Sequence, residues 1–390
     1  MNNPVPMPDL SHSTKNRIAA VDIMRILAAL AVMYEHLYFS LDSPLIEELR
    51  SIPVEIFGHM SGIFFVLAGF FACRRISWRK AINNAWWCFA PFVLWNLIFI
   101  AVAWYNGNSC VIGHSLADLF GVTRILLPGL SLGDALPSHP ANTPLWFMRD
   151  LTLLFLLSPL LCRAAKYLVP LAVMMSLLPV FEPYFRPDFE VFCAPYAITL
   201  FCFGCYLGSF GKEARARMLS FSSLPLILLY LVVTAVGIYI GSEYLPPEAA
   251  DLKSKPLIVS LISFCIFYQL ARYLELRLPA LARFALLFAP VTFLTFATHE
   301  VIYWFGVPDL LEQSEVFLLC LPLILFSLLA LLFVGLRNLC APHAWGRYLL
   351  HLVAHYKVRP DDLGMLPRPS EAPGDGLPVG AACRSRSSAD

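Results

Sequence analysis

Ionisable side chains are scarce in the apolar segments of this chain, and where they occur they gather in a few places. The stretch from Ile18 to Ser40 carries Asp22, Arg25, Glu35 and His36. His59 opens the next apolar run, and two later runs hold Arg149 with Asp150 and His299 with Glu300. At membrane depth each charge costs roughly 2.5 kcal/mol or more, so such residues face a bundle interior or a wet cavity and pair there. An imidazole that titrates near neutrality suits general-base work or a proton relay. A guanidinium presents a planar fork to anions.

Spacing sharpens the picture. At ~100° per residue, the step from Arg25 to His36 ends only about 20° past three full turns, so both leave one face of a helix. They are separated by a rise of about 16.5 Å, which puts one in the inner half of a span and the other near its outer end. Asp22, one turn before Arg25, joins the stripe and can pair with it.

The elements that carry these residues follow from composition. The chain is 58% hydrophobic and 14% charged, against about 25% charged in soluble domains, so lipid must be part of its solvent. A net charge of +1 offers no basic excess for nucleic acid. Hydropathy and breakers predict an all-α bundle of ten spans near 18–40, 56–73, 81–104, 145–162, 167–181, 191–210, 219–241, 256–271, 283–305 and 316–336. Of 28 Lys and Arg, only Arg50, Arg124, Arg186, Lys253 and Lys255 fall in segments assigned outside, Arg25 and Arg149 lie within spans, and the rest are inside. That bias predicts two cytoplasmic termini. Three regions result: a cytoplasmic tail over 1–17, a ten-span membrane domain over 18–338, and a cytoplasmic juxtamembrane helix with a disordered tail over 339–390. The first apolar segment is too long and too charged for a cleaved signal.

Depth then sorts the charges. Arg74 and Arg75 end the second span at the level of Asp22 and Arg25 or below, an inner cationic cluster. Arg149, Asp150, His299, Glu300 and His59 lie toward the outer side, a His/carboxylate cluster. Spans one, two, four and nine are therefore expected to wall one polar site. Cys202 and Cys205 form a C-x-x-C inside an apolar span, which reads as small packing residues. Trp86, Trp87, Trp95 and Trp104 read as interface anchors and packing. His351 and His355 stand one turn apart on the juxtamembrane helix but lack a third ligand, so no metal is expected.

"DIMRILAALAVMYEH" (22–36), with its Arg-x10-His spacing, resembles the opening motif of the acyltransferase family 3 integral-membrane proteins. "GIFFVLAGFF" (62–71), "LWFMRDLTLLFLLSPLL" (145–161) and "FATHEVIYWF" (296–305) are similar to later motifs of that family, in the same order. The resemblance implies a ten-span enzyme of the bacterial inner membrane. Such an enzyme moves an acyl group, commonly acetyl or succinyl, from acyl-CoA to a hydroxyl of an extracytoplasmic glycan or glycolipid. Acyl-CoA is then a co-substrate and no cofactor is bound. The oligomeric state stays open.

The same resemblance matches Arg25 and His36 to an essential pair, Arg74 and Arg75 to basic residues after the second span, and Trp146 and Arg149 to the fourth-span motif. Ala68 departs from it, standing where a Ser is usual. On this reading Arg25, Arg74 and Arg75 hold the donor's phosphates, and His36 takes the proton of the attacking hydroxyl. Glu35, Asp150 or Glu300 could orient the imidazole, and Arg149 or His299 could stabilise the oxyanion. Trp146, Asp150 and Glu300 are expected beside the substrate. The competing class is a proton-coupled transporter or flippase, which also needs intramembrane Arg, His and Glu.

Overall fold

The computed structural model describes residues 19–38, 61–73, 77–105, 145–176, 195–210, 256–305 and 315–354. Among them there is no strand. Ten helices follow in order: α1 (Ala19–Tyr38), α2 (Gly62–Ala72), α3 (Trp78–Tyr105), α4 (Trp146–Ser176), α5 (Pro195–Ser209), α6 (Pro256–Arg277), α7 (Pro279–Phe288), α8 (Val291–Phe305), α9 (Glu315–Cys340) and α10 (Ala344–Ala354). Proline opens α5, α6 and α7, where its missing N–H takes no helical partner anyway. The seventh expected span, 219–241, lies outside the described residues.

Three helices, α3, α4 and the Cys320–Cys340 part of α9, are long and apolar enough to cross a bilayer. The pair α7 and α8 makes a fourth crossing if taken together, bent by 61°. α1 has the length but keeps Asp22, Arg25 and Glu35 within its 20 residues. Large apolar side chains cover the outside of the bundle, among them Trp104, Leu160, Leu171, Leu328, Leu331 and Leu339. With lipid as solvent that surface needs no further burial. The chain is a membrane protein.

Two expected boundaries differ. Spans four and five are one continuous helix, α4, although Pro159 and Pro170 lie inside it. Proline removes one helical hydrogen bond and leaves the carbonyl four residues back without its N–H. At Pro159 that carbonyl belongs to Phe155, and the Ser158 hydroxyl donates to it at 2.7 Å. The helix therefore continues, with Arg163 and Lys166 on its exposed side. Span nine does break, at Ala289 and Pro290 between α7 and α8.

The helices sort into two groups. α2, α3, α4 and α5 pack together, while α1 packs against α6, α7 and α8 and also touches α9 and α2. α10 bridges them, lying on α3, α8 and α9. Glycines set the tightest contact. A Cβ at Gly69 would meet the Phe201 carbonyl of α5, and one at Gly204 would meet the Val66 carbonyl of α2. Such close approach between apolar helices is the use of small residues in membranes. Gly62 faces Tyr196 and Gly208 faces Phe70, so α2 and α5 advance together and run parallel. The first half of α4 runs the same way, pairing Phe147 with Phe64, Phe155 with Phe201 and Cys162 with Cys205.

Candidate active site

A cavity of about 700 Å³ lies on the seam between the two groups. α1, α2, α4 and α8, the helices nominated by their ionisable residues, all line it, joined by α3 and α10. Its apolar wall is largely aromatic: Phe64, Phe71, Phe147, Phe155, Phe293 and Phe296. Phe64, Phe147 and Phe296 hold one another with ring centroids 4.9–5.9 Å apart, and the Phe64–Phe296 pair meets edge to face at 86°.

The polar wall comes from Arg25, Lys80, Asn83, Asn84, Trp87 and His351. Arg25 reaches it from α1, held 3.5 Å from the buried carboxylate of Asp22. Lys80 Nζ donates to the Phe71 carbonyl at 3.2 Å, in the last turn of α2. Trp87 Nε1 donates to Asn83 Oδ1 at 3.2 Å, fixing the amide. The first turn of α8 adds Thr292 and Phe293 to the wall, with the positive end of a helix dipole behind them. Among the described residues no carboxylate lines the cavity. Cations, amides and aromatic rings share its lining.

The remaining expected site residues distribute around this cavity. Arg149 Nε lies 3.0 Å from Asp150 Oδ1, with side-chain exposures of 14% and 1%, one residue from cavity-lining Met148. Trp146 packs on Phe65 with centroids 5.7 Å apart and does not line the cavity. His299 is fully buried behind Phe296. Its Nδ1 lies 3.0 Å from the Thr295 carbonyl, which can only accept, so Nδ1 carries a proton. Glu35, His36 and Glu300 belong to helices whose backbones are described, but their side chains lie outside the described residues, as do His59, Arg74 and Arg75 altogether. Ala68, on α2, is part of the cavity wall.

Lys80, Asn83, Asn84, Trp87 and Cys88 were not singled out as a site from sequence, yet all line the cavity. Their spacing is the signal: 80, 83, 84, 87 and 88 mark one face of a helix, and three of them are strongly polar at the start of an apolar span. His351, considered only for a metal, faces the cavity instead. Groups of three or more potential metal ligands are absent among the described residues.

The family model described as "Acyltransferase domain" matches residues 18–336. The chain belongs to acyltransferase family 3. A curated relative, the succinoglycan biosynthesis protein ExoH of Rhizobium meliloti (strain 1021), is 26% identical over 249 residues. The match covers 60% of this chain and 64% of that relative, so the chain spans just under two thirds of the relative's length. No solved structure matches the chain significantly. Apart from His351 and Ala354, every residue lining the cavity falls inside the acyltransferase 3 domain.

Proposed function

We propose that this protein is a membrane-embedded O-acyltransferase. It takes an acyl group, acetyl or succinyl, from a coenzyme A thioester on the cytoplasmic side of the bacterial inner membrane and transfers it to a hydroxyl of an extracytoplasmic glycan or glycolipid. The observation that carries this reading is the cavity of the family domain, lined both by cations and by aromatic rings. Coenzyme A has a phosphate-rich end and a long, thin arm that carries the thioester. Arg25 and Lys80 hold the phosphates, assisted by the amides of Asn83 and Asn84. We assign Arg74 and Arg75, which follow Cys73 in the sequence, to the same phosphates. The relative named for succinoglycan biosynthesis supports a polysaccharide as acceptor.

Transfer proceeds by attack of the acceptor oxygen on the thioester carbonyl. His36 removes the hydroxyl proton, the new C–O bond forms, and the C–S bond breaks. The proton then passes from the imidazolium to the departing thiolate, releasing free coenzyme A. We assign oxyanion stabilisation to Arg149 rather than His299. The Nδ1–H of His299 is committed to Thr295 and its ring is fully buried behind Phe296, whereas the Arg149 side chain keeps some exposure.

Both termini are placed in the cytoplasm and ten crossings are retained. α2, the first half of α4, and α5 run in one sense, as spans two, four and six must.

Purified protein incubated with radiolabelled acyl-CoA and a membrane glycan fraction should release free coenzyme A and label the glycan. A proton-coupled transporter or flippase, to which the broken α7–α8 pair would also be suited, leaves the thioester intact. That result would overturn the enzyme reading.

A further inference from the structure

The family match stops at residue 336, within α9, but the cavity wall does not stop there. α10 adds His351 and Ala354 to it. Several contacts seat this helix. Trp95 Nε1, on α3, donates to the Val353 carbonyl at 3.0 Å. Trp87 meets the His351 ring edge-on, with centroids 3.9 Å apart, and Tyr348 at 6.0 Å. Arg347 Nη1 donates to the Ala341 carbonyl at 3.2 Å, pinning the turn from α9. A Cβ at Gly346 would meet the Cys340 carbonyl, so that turn admits no larger residue without moving. Leu350, His351 and Ala354 are buried, whereas Trp345 and Tyr348 face outward. A helix expected only to lie on the inner leaflet is therefore built into the bundle.

We propose that α10 is the cytoplasmic wall of the donor cavity and that His351 is a donor-binding residue, giving a hydrogen bond to the phosphate-bearing end of the thioester donor. The assignment rests on the acyl-CoA reading above. Trp87 is the link: it fixes the Asn83 amide through Nε1 and carries the His351 ring against it. The imidazole is thereby placed at the patch that already holds Lys80, Asn83 and Asn84. Hydrogen bonds from such groups to phosphate oxygens are charge-assisted and strong. Because the residue comes from α10, donor affinity depends on how firmly the C-terminal segment is seated on α3.

The test uses the full chain in nanodiscs of zwitterionic lipid, titrated calorimetrically with coenzyme A. His351→Ala should weaken binding about tenfold, the loss of one hydrogen bond to a charged group. The donor KM should rise in step while kcat changes little, the signature of lost ground-state binding. His351→Gln, which keeps an N–H donor, should recover most of the affinity. Trp95→Phe keeps the ring but removes the bond to Val353, and it should also weaken coenzyme A binding although Trp95 does not line the cavity. Coenzyme A affinity unchanged in both His351→Ala and Trp95→Phe would overturn the inference and leave the enzyme reading intact. A wild-type protein that binds no coenzyme A would overturn both. Repeating the titration with phosphatidylglycerol discs separates a lipid phosphate from the donor's. If His351→Ala lowers retention of that lipid and leaves coenzyme A binding unaltered, the site belongs to lipid and the inference fails.

Discussion

Asp22 Oδ1 stands 3.5 Å from Arg25 Nη1, one helical turn away, with the carboxylate 4% exposed and the guanidinium 38%. The buried member is the fixed point and the exposed member reaches the cavity, so Asp22 aims Arg25 toward whatever anion binds there.

Removing the guanidinium should therefore weaken the donor more than the acceptor. Arg25→Ala is expected to raise the acyl-CoA KM by about one to two orders of magnitude, given ~1.5–3 kcal/mol for a hydrogen bond to a charged group. Arg25→Lys should fall well short of wild type, because a point charge replaces a fork. Asp22→Ala should raise the same KM by a smaller factor. Initial rates against donor and acceptor concentration decide the matter, and a change confined to the acceptor would place the donor elsewhere.

His36 shares the stripe with Arg25 about three turns away. As general base, its replacement by Ala should cut turnover by about 10²–10⁴-fold. Protein level in the membrane should hold, since removing an ionisable residue eases insertion. Coenzyme A binding should hold as well. Specific activity and quantitative blotting on the same membranes separate this from a structural role, which would lower the amount of protein and spare the turnover of what remains.

The glycine contact between α2 and α5 predicts a stability effect independent of chemistry. Gly69→Ala and Gly204→Ala each push a methyl into a backbone carbonyl that cannot rotate away, and overpacking of this kind costs about 1–3 kcal/mol. Gly335→Ala is the control, since nothing lies within 4 Å of its added Cβ. Thermal unfolding in detergent should show lower midpoints for the first two and no loss for the third. Equal behaviour of all three would mean that α2 and α5 are not packed this closely.

Topology is open to reporter fusions. Those placed after residues 50, 130, 250 and 312 should read outside, and those after 78, 214, 278 and 350 inside. The pair at 130 and 214 bears most directly on the fifth of the ten expected crossings. If both read on the same side, the fifth crossing does not exist.

Much of this arrangement was legible in the sequence. The cost of charge in lipid singled out α1, α2, α4 and α8, and those helices do border one cavity. Periodicity placed Arg25 on an inward stripe, and its pairing with Asp22 followed from a one-turn spacing. What escaped depends on partners far along the chain. Lys80 looked like one more loop cation because nothing local says that it will cap α2. Trp87 and Trp95 looked like interface anchors and packing, and it is α10, more than 250 residues later, that Trp95 holds through the Val353 carbonyl and Trp87 meets at His351. Breaks were misjudged for a related reason. Pro159 interrupts nothing because its neighbour Ser158 supplies the missing hydrogen bond, whereas the chain does turn at Pro290.

The seam position of the cavity has a thermodynamic consequence. Among the described residues each half of the bundle is packed mainly within itself, and the Phe64–Phe147–Phe296 cluster and α10 join the halves beside the cavity. A ligand lodged there touches both halves at once and acts as a brace. Binding to the folded form alone adds about 2.7 kcal/mol of stability at a hundredfold excess over Kd. Here that increment falls on the joint between the halves, so filling the cavity makes the two halves more cohesive.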